Sequence, residues 1–80
     1  MSTRIIEYAR IEALFVSAVQ PSDAVGPDQV RLAVAGAVRR FGSRGCAAQV
    51  AFEFGEHPEV AVGRMCWALS TVRGAYAVAV

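Results

Sequence analysis

"QVAFEFGEHPEVAVGRMCWAL", residues 49–69, carries two helical patterns with a turn between them. Gly55 suits the end of the first, since glycine tolerates the left-handed backbone common past a helix C-terminus. Pro58 presets φ for the first position of the second, and Glu59 puts a negative charge in its first turn. Plotted at 100° per residue, Cys46, Ala47, Val50, Ala51 and Phe54 share one face of the stretch 44–54, with Ala48 and Phe52 on the far side. In 59–72 the inward face is Ala61, Val62, Met65, Ala68, Leu69 and Val72. Trp67 falls almost opposite, among Val60, Arg64, Ser70 and Thr71.

Towards the N-terminus, "FGSRG" (41–45) breaks the pattern, with Ser43 fit to cap the helix that follows. Before it, Val30, Ala33, Val34, Ala37, Val38 and Phe41 make one apolar face over 28–41. "QPSDAVGPD" (20–28) is the strongest break, and Pro27 and Asp28 are suited to opening the helix after it. The first stretch, 3–19, is apolar on two sides. Ile5, Ile6, Ala9, Ala13 and Val16 line one side, and Tyr8, Ile11, Phe15 and Ala18 the other. A helix of that kind is normally covered twice, and in so short a chain the second cover is expected from another molecule. The competing reading makes "ALFVSAV" a strand, because β-branched and aromatic residues are frequent there. Glu12, near Tyr8, Phe15 and Val16, reads as a boundary carboxylate reaching water; buried, it would require a partner. "AYAVAV" at the C-terminus has lost the helical pattern and reads as a frayed tail, though it is apolar enough to dock on a subunit.

The segment from Ala47 to Cys66, about a quarter of the chain, resembles the helix-turn-helix pattern. The matching features are Val50 and Ala51 in the first helix, Phe54 packing inward, Gly55 at the turn and the run "FGEHPE". The resemblance implies a compact trihelical unit and DNA binding by a transcriptional regulator. The sequence departs from the pattern after the glycine, where Glu56 stands in place of an apolar plug. It departs again in the second helix, where an inward aliphatic position falls on Arg64. Recognition helices present donors near their N-terminal end, yet the outward residues here begin Glu59, Val60, Gly63 and Arg64. A leading carboxylate faces phosphate with the wrong sign, and one arginine cannot supply the several neutralisations that set affinity. Arg39, Arg40 and Arg44 could add a phosphate-contacting patch beside the hairpin.

Composition points the same way. The chain has 80 residues, net charge +1 and 55% apolar residues, with a mean hydropathy of +0.40. That is one thin-cored domain with apolar surface to spare, which favours self-association or a partner. All eight basic residues are arginine, a bias that GC-rich codon usage produces on its own. The opening "MSTRIIEYAR" carries charges through its apolar stretch, unlike a secretory signal, and no run is long enough to span a membrane. The expected compartment is the cytoplasm.

Catalytic chemistry finds little to build on. His57 is the sole histidine and reads as a polar residue at the start of a helix. No ligands are spaced to join it in a metal site. Cys46 and Cys66 read as small apolar filler, with a distant alternative in which Cys46, near a helix start, is a reactive thiol. There is no phosphate loop, dinucleotide-binding glycine pattern or carboxylate pair.

The expectation is therefore an all-α domain of four helices (3–19, 28–41, 44–54 and 58–72), the last three a helix-turn-helix-like unit. It is non-enzymatic, with no catalytic residues, cofactor, metal or small-molecule substrate, and does not act on a membrane. Its partner is another protein, itself, or both as a homodimer. The docking residues are Trp67, Val60, Arg64, Phe52, Tyr8, Ile11 and Phe15. The alternative is a DNA-binding regulator with Arg64, Ser70 and Thr71 in the groove and Arg39, Arg40 and Arg44 on phosphates.

Overall fold

A computed structural model describes residues 3–77, and among these the fold is all-α with no strand. Helix α1 spans Thr3–Val16, α2 Pro27–Glu56 and α3 Pro58–Ala75, with a short 3-10 turn at Pro21–Asp23 between the first two. Three helices are thus present where the sequence suggested four. The second and third expected helices are one element, α2, broken at Gly42. There φ is 69° and ψ 165°, a region open essentially to glycine alone. The break gives α2 an upper limb, 27–41, and a lower limb, 43–56.

Each boundary has a local cause. α1 stops at Val16, three residues before the expected end, because Ser17 takes over the last turn. Its N–H and its Oγ–H both donate to the Leu14 carbonyl (3.1 and 2.7 Å), and Oγ accepts from Val19 N–H at 3.3 Å. In the connection, Gln20 N–H donates to Asp23 Oδ2 at 2.8 Å, and Ala24 adopts the left-handed backbone at φ 49°. α2 opens with Pro27 at its first position, while Gly26 N–H, left outside, donates to Gln29 Oε1 at 3.3 Å. His57 is the single non-helical residue between α2 and α3. α3 runs past the expected Val72 to Ala75, so the start of the expected tail is helical; residues 78–80 lie outside the described residues.

α1 is the centre of the core. Ile11, Ala13, Leu14 and Phe15 are buried against Val30, Val34 and Ala37 of the upper limb, Cys46 and Val50 of the lower limb, and Ala61, Ala68 and Val72 of α3. The Phe15 and Phe54 rings stack with centroids 6.1 Å apart. The second apolar side of α1 is therefore covered from within the chain, because α2 bends at Gly42 and α3 folds back. That cover stops at the N-terminal end, where Ile5, Ile6 and Tyr8 remain exposed. Wheel positions fail again in α2 and α3: Val38, Phe41 and Val62, expected inside, are exposed. Phe41 lies just before the break and lines a groove of about 460 Å³ with Val16–Val19, beyond the end of α1. The far end of α3 is tied back by Arg73 Nε donating to Glu7 Oε1 at 3.2 Å and by the Arg10 guanidinium over the Tyr76 ring at 4.1 Å.

Candidate functional site

Arg64 organises one side of the molecule. Its Nε donates to the Phe15 carbonyl at 2.6 Å, and Nη2 donates to the carbonyls of Ser17 and Val19 at 2.9 and 2.8 Å. The last carbonyls of a helix have no partner within it; here a planar guanidinium from α3 donates to that of Phe15 in the last turn of α1 and to those of Ser17 and Val19 just past its end. The group also lies over the Trp67 ring at 4.8 Å and the Phe15 ring at 5.8 Å. Burial pushes its pKa down, and the Glu53 carboxylate pulls it partly back up. Arg64 is thus a structural staple, its guanidinium turned onto the end of α1 where a partner-orienting or a groove-reading residue was expected. The reason is geometric, since Arg64 lies just beside Ala61 and Ala68, the side chains that α3 buries.

The other expected docking residues separate by depth. Ile11 and Phe15, each 3% exposed, belong to the core and not to an outer face. Trp67 is half-buried against the core, its ring covered on one side by Arg64. Phe52 (58% exposed) and Val60 (71%) do stand outside, and so does Tyr8, at the distant N-terminal end of α1. Val60 borders an open cleft of about 280 Å³ whose wall includes Gln49, Glu53 and Arg64. The cleft is small and polar-rimmed beside the pockets of roughly 300–1,000 Å³ that bury small ligands.

The expected DNA-contacting residues separate too. Arg39, Arg40 and Arg44 are exposed around the Gly42 break, and only Arg40 rests on a ring, that of Phe41 at 5.3 Å. Arg64 is withdrawn, Thr71 is half-buried, and the Ser70 hydroxyl donates to the Trp67 carbonyl at 3.3 Å. What remains outward is a backbone-type patch of three arginines, with no ion pair to any of them among the described residues.

For chemistry the groups are dispersed. Among the described residues no three His, Cys, Asp or Glu side chains gather as a metal-binding group, and no helix is long and apolar enough to cross a membrane. Both cysteines are free. Cys46 is buried in the core, its thiol close to the Ala37 carbonyl at 3.8 Å. Burial, and then the nearby Glu12 carboxylate, push its pKa up, opposite to the activation that a reactive thiol requires. Glu12 is itself half-buried on α1, where desolvation raises its pKa.

Sequence reading missed the apolar residues Leu32, Val38 and Val62, which are exposed. Leu32 falls off the apolar face of 28–41, so its exposure was legible, whereas Val38 and Val62 lie on apolar faces and periodicity cannot tell which apolar position a neighbouring helix covers. No family model, curated protein or solved structure matches the chain.

Proposed function

We propose that the chain is a small non-enzymatic regulatory or adaptor protein that works by docking its apolar surface on another protein, and that it also associates with itself. The observation that carries this reading is the pair Phe52 and Val60, which stand mostly in solvent on the two helices flanking the His57 turn. Large apolar side chains left in solvent on both sides of one turn are candidates for a contact surface. With Ile11, Phe15 and Arg64 committed to the interior, the docking face narrows to Phe52, Val60 and the open side of Trp67.

A second reading, DNA binding through phosphate contacts, is favoured by one observation: Arg39, Arg40 and Arg44 are all exposed within a few residues of the break. Without Arg64 in a groove, it reduces to backbone contact with no base reading.

Two measurements separate them. Phe52→Ser with Val60→Ser leaves the core untouched and is expected to weaken association by about 2 kcal/mol, with an unchanged circular dichroism melt. Mixed-sequence duplex titrated at low salt, followed by anisotropy, is expected to show no saturable binding. Salt-sensitive binding lost in Arg39→Gln, Arg40→Gln, Arg44→Gln would transfer the function to nucleic acid.

A further inference from the structure

The lower limb of α2 holds its charges the wrong way round. A helix is stabilised by acidic residues near its N-terminus and basic ones near its C-terminus. Here Arg44 opens the limb just after Gly42, with Arg39 and Arg40 before the break, while Glu53 and Glu56 close it and Glu59 follows at the start of α3. No acidic residue occurs from 29 to 52, and no arginine or lysine from 45 to 63. Each end meets an unfavourable dipole, and neither Arg44 nor Glu56 has an ion-pair partner among the described residues. Glu53 is accounted for by Arg64. The others are not.

Between these ends the limb shows solvent a low, apolar strip: Ala48, Ala51 and Phe52 are exposed while Cys46 and Val50 face the core. We propose that this limb is the site of self-association, pairing antiparallel with the same limb of a second copy of the chain. A two-fold axis at the level of residue 50 sets Phe52 of each copy opposite Ala48 of the other, a large side chain on a small one. The same register sets Arg44 level with Glu56 of the other copy, ~18 Å further along the helix within one chain. Size and charge thus select one register. Parallel pairing would set arginine against arginine and glutamate against glutamate, so charge also fixes the direction. Pairing answers the dipole problem as well, since each basic end comes to lie beside the partner's carbonyl-bearing C-terminus. Two limbs of ~21 Å give an interface at the low end of stable sizes, so a dissociation constant of roughly 1–100 μM is expected.

This inference rests on the docking reading above and gives it a partner, so the test must part the two. Sedimentation equilibrium of the full chain over a micromolar-to-millimolar series is expected to show a monomer–dimer equilibrium. Arg44→Glu and Glu56→Arg should each weaken it by about tenfold or more, and the double variant should recover wild-type affinity. Both single changes favour the dipole of the lower limb, and a double variant that recovers wild-type affinity shows that the loss in the singles comes from the pair across copies and not from a weakened fold. A monomer at every concentration, or a double variant as weak as the singles, overturns the antiparallel pairing. Benzoylphenylalanine in place of Phe52, irradiated in an extract of the organism of origin, then reads the broader claim. A homodimer adduct supports self-pairing, and an adduct with a different chain alone overturns it while leaving docking in place. No adduct, with a monomer in the centrifuge, removes both.

Discussion

α1 buries charge on two sides, and on very different terms. Facing α3, the Arg64 guanidinium is drawn in against Phe15 and Trp67, but three backbone carbonyls receive it. The Phe15 carbonyl sits in the last turn of α1, where it has no partner within the helix, and those of Ser17 and Val19 lie just past its end, so one group serves all three. Facing α2, the Glu12 carboxylate approaches Cys46 and takes up desolvation, with no ion pair among the described residues. The difference is one of matching, not of depth. A half-buried charge stabilises where it completes unsatisfied dipoles, and strains the fold where it only loses water.

Arg64 is the harshest test of that contrast. Arg64→Ala should lower unfolding stability by about 2–4 kcal/mol, because it removes charge-assisted hydrogen bonds and strands carbonyls at the end of α1. An 80-residue domain has only ~4–12 kcal/mol in total, so the loss would be plain in urea denaturation. Arg64→Lys should recover less than half, since an ammonium cannot span three acceptors in one plane. If lysine served as well as arginine, charge near a helix C-terminus would suffice and the fork geometry would be incidental.

The Glu12 side depends on where the lower limb of α2 lies, and Gly42 sets that. Gly42→Ala forces a side chain into the φ 69°, ψ 165° conformation, at an expected cost of about 1–3 kcal/mol. An alanine would in isolation favour continuous helix, which gives the opposite sign if the limb can straighten. A midpoint that rises in Gly42→Ala would mean that the break is not needed to bring Cys46 and Val50 onto α1.

Much of the fold was legible in these residues. Proline at 27 and 58 marked two helix starts, and the spacing of Val30, Val34, Cys46, Val50, Ala61, Ala68 and Val72 marked the buried faces. The turn at 41–45 was legible as a break, yet not as a bend inside one element, since that depends on a backbone angle only glycine adopts. Arg64 is the instructive miss. The helix-turn-helix register puts it at an inward position, while its chemistry argues for solvent. Chemistry misleads here because the carbonyls it satisfies are 45–49 residues away in the chain. Exposed Phe52 was legible from the wheel; the core position of Ile11 and Phe15 was not, because a two-sided helix looks the same whether its second cover is intramolecular or not.

Glu12 gives the smallest effect and the cleanest sign. Its pKa is raised in the folded chain because burial disfavours the carboxylate. The native state therefore holds its proton more tightly than the unfolded state does, and stability falls as pH rises through that window. The favourable contribution is complete below the ordinary glutamate pKa and gone above the raised one. Glu12→Gln, which cannot ionise, should raise the melting temperature slightly at neutral pH and lose that advantage progressively under acid. The difference between the two proteins, plotted against pH, isolates this one group from the six other acidic residues common to both. A flat difference would mean that water reaches the carboxylate freely, and that Glu12 is a surface residue with no part in the contrast with Arg64. A difference growing towards acid would require a partner for the ionised form, which would bring the Glu12 side of α1 onto the same terms as the other.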